Sequence, residues 1–214
     1  KNQSFDNQNS TKAKSNYIKK AVKIISNSNK TVIIAGGGIK YTSRYKNVVK
    51  LAELLNVPIV TAAGHGDAIP FNHKLNAGQM GPRGNPVASK LVKEASVIIA
   101  LGTRLGFNST FYSYENINKR AKIIQVELEK RMIGRYFPVA VGIYGDAATI
   151  ADQLYKEIKK QNIALDIKKW TNNYFNERKN FLLNRDKFKQ KNFPIQPNSL
   201  FKQLRQVLPK NSAI

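Results

Sequence analysis

The sequence predicts an α/β fold built on a parallel sheet. Two observations carry that expectation: five short apolar runs, each closing where a backbone can turn sharply, and helix-like stretches between several of them. The runs are Thr31–Ala35 before Gly36, Gly37 and Gly38; Val57–Thr61 before Gly64; Val97–Leu101 before Gly102, Thr103 and Arg104; Lys122–Val126 before Glu127; and Val139–Ile143 before Gly145 and Asp146. Most are β-branched without polar alternation, the pattern of strands buried on both faces. Runs of this kind alternating with helices make βα units. Ligands of such sheets sit beyond the carboxyl ends of the strands, which is where these turns fall.

The elements follow in order. Residues 1–14 are polar and read as a linker. Tyr17–Ser26 has apolar residues at helical spacing, so an amphipathic helix precedes the first strand. Thr42 or Ser43 is placed to cap a helix running to Leu55, which Asn56 ends. From Gly64 to Asn85 the density of Gly and Pro predicts a long shaped loop without a regular element. Pro86 opens a helix to Glu94. Phe107–Arg120 mixes aromatic and polar residues and is expected to fold over the strand ends. Lys130–Tyr136 reads as a short helix and Ala147–Lys160 as a longer one. Beyond Asn162, Trp170–Lys191 is a polar helical stretch with Trp170, Tyr174, Phe181 and Leu182 on one side. A last amphipathic helix covers Leu200–Leu208.

At 214 residues the chain holds one α/β domain of roughly 150 residues and an extension. It starts at Lys1 and stops at Ile214 on an apolar residue, and the expectation is a piece of a longer protein. No apolar run approaches the roughly 20 residues that span a bilayer, so no membrane association is expected. The absence of Cys excludes disulfides and thiol catalysis. A net charge of +23 raises the possibility of a basic nucleic-acid-binding module, whose affinity would fall steeply with salt. Against it, the charge is spread along the chain, and 27 Lys outnumber 9 Arg, whereas planar recognition of phosphates and bases favours Arg. With 23 Asn and abundant Ile beside the Lys, the composition fits drift in an AT-rich genome better.

Three features could carry chemistry. Gly36, Gly37 and Gly38 would allow a ligand phosphate to approach the backbone, or form a tight strand–helix turn. After Gly102 and Thr103, Arg104 supplies a planar fork for phosphate or carboxylate, or pairs with a surface carboxylate. Glu127 and Asp146 end neighbouring strands, where each could accept a ribose hydroxyl or cap a turn. His65 and His73 lack a third group to orient them and read as loop-structuring residues. No metal-ligand spacing and no catalytic constellation is present.

Five segments in this order resemble the central domain of thiamine-diphosphate enzymes: the Gly36–Gly38 turn, Val57–Pro70, Ala95–Gly106, Ala121–Glu127 and Val141–Ala147. The resemblance covers about residues 15–160. It implies a six-stranded, Rossmann-like parallel sheet with helices on both faces and a helical C-terminal extension. It divides the chain into a linker (1–14), the central domain (15–160), a linker and helical segment (161–198) and the opening of a cofactor-binding domain (199–214). Within the superfamily, Gly102–Gly106 followed by Phe107 and Thr110, together with Lys122–Glu127 and Val141–Ala147, is most similar to sulfoacetaldehyde acetyltransferase. That family converts sulfoacetaldehyde and phosphate to acetyl phosphate and sulfite. An acetolactate synthase large subunit or another thiamine-diphosphate carboligase or decarboxylase is the alternative, but acetolactate synthases usually continue past the corresponding arginine with an acidic-then-Arg segment, where this chain has Leu105–Ser109. The resemblance further implies a cytoplasmic homodimer or homotetramer acting on a small molecule, with thiamine diphosphate and Mg2+ bound outside this chain. FAD or ADP would sit in the central domain, on Gly36, Gly37, Gly38, Gly102, Thr103, Arg104, Glu127 and Asp146. A sirtuin-like nucleotide-binding domain shares the sheet architecture, but its His–Asn arrangement is not evident here.

Overall fold

The computed structural model describes residues 12–42, 44–186, 194–209 and 212. The alternative cap Ser43, the expected helix end at Lys187–Lys191 and most of the N-terminal linker lie outside the described residues. The chain divides into two compact units, 1–175 and 176–214.

The first unit is built on a six-stranded parallel sheet in the order β3-β2-β1-β4-β5-β6. Its strands are β1 (Thr31–Ala35), β2 (Ile59–Thr61), β3 (Asn76–Gln79), β4 (Val97–Leu101), β5 (Lys122–Glu127) and β6 (Val141–Tyr144). Every residue of β1 and β4 is buried, as their unbroken apolar runs require. Thr31 of β1 stands opposite Val97 of β4, and the two stay in register to Ala35 and Leu101.

The connections put helices on both faces. α1 (Ser15–Ser26) precedes β1; α2 (Gly37–Lys40) and α3 (Tyr45–Leu55) join β1 to β2; α4 (Pro86–Glu94) joins β3 to β4; α5 (Phe107–Thr110) follows β4; α6 (Ala147–Lys160) follows β6. The path from β1 to β2 moves one way along the sheet and the path from β3 to β4 moves back. Right-handed crossovers therefore place α3 and α4 on opposite faces. α6 packs against α1 and α3 on one face.

Several expectations change at this level. Asn76–Gln79, inside the supposed long loop, is a strand. It has no β-branched residue to announce it, and its register on β2 shifts between Ile59 and Thr61, with Gly78 at φ +94° taking the irregularity. Backbone bonds from Ile59 N–H to the Leu75 carbonyl (2.7 Å) and from Met80 N–H to the Thr61 carbonyl (2.9 Å) frame it. Thr42 does not cap α3: its hydroxyl donates to the Ile39 carbonyl at 3.0 Å and closes α2. Lys130–Tyr136 holds only a 3-10 turn, Lys130–Met132, because the chain is extended at Ile133 and Gly134 takes φ +72°. β2 starts at Ile59, past Pro58, which has no N–H to donate.

The chain crosses the opposite, amino-terminal end of the sheet at the start of α7 (Lys168–Asp186). Trp170 Nε1–H donates to the Thr31 carbonyl at 3.1 Å, Thr171 hydroxyl to the Asn56 carbonyl at 2.7 Å, and Tyr174 hydroxyl to the Lys74 carbonyl at 3.0 Å. Those carbonyls stand at or just before the starts of β1, β2 and β3. Residues 168–175 therefore pack as part of the first unit rather than trailing from it.

The second unit contains the rest of α7 and α8 (Pro197–Val207), on which Leu200, Phe201 and Val207 are exposed. α8 begins ahead of the expected Leu200 because Pro197 is preorganised for a first helical turn. No helix among the described residues is long and apolar enough to cross a membrane.

Candidate functional site

A cleft of about 440 Å³ opens at the carboxyl ends of β1, β2, β4 and β5. It lies where the strand order reverses, with β1 running on to β2 on one side and β4 on the other. That reversal parts the loops and leaves the space.

Of the eight residues singled out by sequence, six line the cleft: Gly37, Gly38, Gly102, Thr103, Arg104 and Glu127. Gly36 lies beneath it. The glycines serve each other first. Gly102 turns at φ +61°, and a Cβ there would stand 2.6 Å from the Gly38 Cα. A Cβ on Gly36 would collide with the Gly102 carbonyl oxygen and stand 2.6 Å from the Thr103 Cβ. The two strand-end turns are in backbone contact, tied by the Gly38 N–H to the Gly102 carbonyl at 3.0 Å. Only after that packing is satisfied do Gly37 and Gly38 leave the cleft floor bare.

Arg104 stands at the rim, 56% exposed, and donates to Glu129 at 3.2 Å. Arg131 holds the same carboxylate from its other oxygen. That bond, with further attraction from Arg104 and Arg135, keeps the Glu129 carboxyl below the usual carboxylate range. Arg104, at the cleft, thus belongs to an arginine-rich cluster around one acid, Glu129, whose other members do not line the cleft. Glu127, half-buried at the end of β5, accepts from Leu128 N–H at 2.9 Å.

Asp146 is not among the cleft-lining residues. It is 6% exposed, accepts from Thr149 N–H at 2.7 Å as the cap of α6, and pairs with Arg44 at 2.7 Å. The turn-capping alternative accounts for its position.

The structure adds residues to this set. His65 lines the cleft with its ring against Gly37 and edge-on to Tyr41, and its Nδ1 is buried without a partner. His73 stays away from it: its Nδ1 accepts from Leu75 N–H and its Nε2 bonds Glu53, so it orders its loop. Lys40 and Asp67 pair at 2.9 Å beside the mouth; their hydrogen bond raises the lysine and lowers the carboxyl. Ser109 Oγ accepts from Ala63 N–H at 3.1 Å and joins the loops after β2 and β4. Gln125, 2% exposed in β5, donates to the Thr103 carbonyl at 3.1 Å and accepts from Gly134 N–H at 2.8 Å. It fixes the turn that presents Arg104. Its signal was a single amide between the apolar Ile123, Ile124 and Val126 of the strand.

Chemically, the cleft offers a cationic rim, one carboxylate at a strand end, and rings on two walls from Tyr41 and Phe107. It has the size of a small-molecule site. Among the described residues no group of three or more His, Asp or Glu could hold a metal ion.

A doubly wound parallel sheet with a ligand-sized cleft at its switch point places the first unit among α/β domains that bind beyond their strand ends. A family described as thiamine pyrophosphate enzyme, central domain, matches residues 18–154, and the chain belongs to that family. Among similar proteins, sulfoacetaldehyde acetyltransferase of Castellaniella defragrans is 34% identical over 151 residues, covering 70% of this chain and 25% of the relative. The sulfoacetaldehyde acetyltransferase of Roseovarius nubinhibens is 38% identical over 140 residues, 64% of this chain and 23% of the relative. A probable acetolactate synthase large subunit of Methanococcus aeolicus is 30% identical over 199 residues, 89% of this chain and 33% of the relative. The chain thus spans between about a quarter and a third of the length of these relatives.

Proposed function

We propose that this chain is the central domain of a longer thiamine-diphosphate-dependent enzyme that converts sulfoacetaldehyde and phosphate to acetyl phosphate and sulfite. The observation that carries this choice is the place of Gly102–Thr110, the segment most similar to the acetyltransferases. It forms the wall of the switch-point cleft: Leu105 N–H donates to Thr103 Oγ1 at 3.3 Å, and Thr110 hydroxyl donates to the Leu105 carbonyl at 2.9 Å. The higher identities to proteins named sulfoacetaldehyde acetyltransferase support the same choice. The second reading, an acetolactate synthase large subunit, is favoured by one observation: that match extends over 89% of the chain, into the second unit.

Among the described residues no group of three or more His, Asp or Glu could hold Mg2+. Thiamine diphosphate would supply the carbon chemistry from elsewhere in the polypeptide. This chain contributes architecture and subunit contacts in a homodimer or homotetramer.

An adenine nucleotide, FAD or ADP, is the ligand proposed for the cleft, a reading supported by Arg104 and Glu127 in its lining. Arg104 would take its phosphates, Glu127 a ribose hydroxyl, and the ring of Tyr41 or Phe107 the base. Arg104 would exchange Glu129 for the phosphate, a swap of one charge-assisted bond for another. The nucleotide would serve as a structural ligand. Calorimetric titration of FAD and ADP into the full-length protein tests this. Arg104→Ala is expected to weaken binding about tenfold or more, the worth of one charge-assisted contact. Equal affinity in the variant removes Arg104 from the site, and no binding to the unaltered protein removes the nucleotide.

A further inference from the structure

A second cavity, of about 380 Å³, lies at the β6 edge of the sheet and shares no lining residue with the switch-point cleft. Its walls come from three separate places: the segment before α1, the turn after β5, and β6 itself. We propose that it is a binding site for an organic phosphate, a small molecule joining an apolar or planar body to a phosphate group. The inference is independent of the reading of the cleft.

The first argument is charge. Lys12, Lys14 and Lys130 line the cavity, and none of its lining residues is acidic. Among the described residues no carboxylate pairs with any of the three. Three lysines lining one space make it cationic and favour an anion there, and lysine serves phosphate as a compact point charge. Carboxylate partners are available on this chain, yet here they are left out.

The second argument is that the wall is held. Ala13 N–H donates to Gln153 Oε1 at 2.9 Å, and Gln153 Nε2 donates back to the Ala13 carbonyl at 3.0 Å. This two-way bond between a backbone peptide and the α6 side chain fixes the residue between Lys12 and Lys14. The backbone that carries the two lysines is therefore held by the fold, while their side chains reach out as exposed groups.

The third argument is the floor. Ile133 and Ile143 supply an apolar base, and Tyr17 and Tyr144 supply rings, with Lys130 Nζ 5.0 Å from the Tyr144 ring centroid. Gly142 makes the close approach possible: a Cβ there would collide with Ile133 Cγ2. β6 is also the last strand of the sheet, so alternate backbone N–H groups face away from β5. Cations at the rim, rings at the side and an apolar base match a ligand with a charged end and an apolar end, in a space of ordinary ligand size.

The test uses the full-length protein that carries this chain, labelled with ¹⁵N, and two probes, phenyl phosphate and inorganic phosphate. Phenyl phosphate is expected to shift the amides of Gly142, Ile143 and Tyr144 saturably, and to bind about tenfold more tightly than inorganic phosphate because its ring meets the floor. Lys14→Gln and Lys130→Gln should each weaken phenyl phosphate about three- to tenfold, the loss of one charge-assisted contact. Arg104→Gln, in the other cleft, should leave these shifts unchanged. The proposal is overturned by equal affinity in Lys130→Gln, by inorganic phosphate binding as well as phenyl phosphate, or by no saturation below about 10 mM.

Discussion

Truncating Trp170 to alanine is expected to destabilise the first unit by about 3–5 kcal/mol, the range for removing a large buried ring. The indole is 7% exposed, carries Lys30 5.7 Å above its ring, and donates to the Thr31 carbonyl. Its loss leaves both a cavity and an unpaired acceptor at the start of the first strand. Trp170→Phe keeps a six-membered ring but loses the donor and the rest of the indole, so it should cost less than the alanine change, about 1–3 kcal/mol. Denaturant unfolding followed by far-UV circular dichroism measures both. A change below about 0.5 kcal/mol for the alanine variant, typical of an exposed surface residue, would mean that the start of α7 is a linker after all.

Gly102→Ala is the second large effect, at about 2–4 kcal/mol. The new methyl would stand 2.6 Å from the Gly38 Cα, a backbone atom that has no rotamer to escape through. Overpacking of this kind costs about 1–3 kcal/mol. The left-handed φ of +61° adds roughly 1 kcal/mol for a residue with a Cβ. Gly106→Ala is the control, since a Cβ there meets nothing within 4 Å and the residue lines the same cleft. It should change stability by less than about 1 kcal/mol. If the two variants unfold alike, the glycine contact between the strand-end turns is not what holds them together.

The fold was legible where burial is two-sided. β1 and β4 lie under helices on both faces, so their sequences are unbroken apolar runs that nothing else imitates. β3 was not legible, because Asn76–Gln79 is placed by hydrogen bonds to β2 and by a bulge rather than by apolar side chains. Caps were legible in part: Asp146 caps α6 through its side chain, one of the two roles its place at a strand end offered, whereas Asn85 caps α4 unannounced and α3 starts without a side-chain cap.

The position of the cleft was legible from turn chemistry, since glycines at strand ends mark where a parallel sheet leaves space. Its wiring was not. That Gly36 and Gly38 exist to meet Gly102, that Gln125 holds the turn before Arg104, and that Asp146 faces Arg44 are contacts between segments far apart in sequence. Local pattern carries no record of such pairs. Arg104 shows one of its alternatives, the pairing with a carboxylate, Glu129, while it stands in the cleft lining.

The most direct test of the account is a sulfite assay on the full-length protein that carries this chain, supplied with thiamine diphosphate, Mg2+, sulfoacetaldehyde and phosphate. The expected result is sulfite release that requires phosphate and matches acetyl phosphate formed, one for one. Condensation of pyruvate to acetolactate with no sulfite released from sulfoacetaldehyde would contradict it.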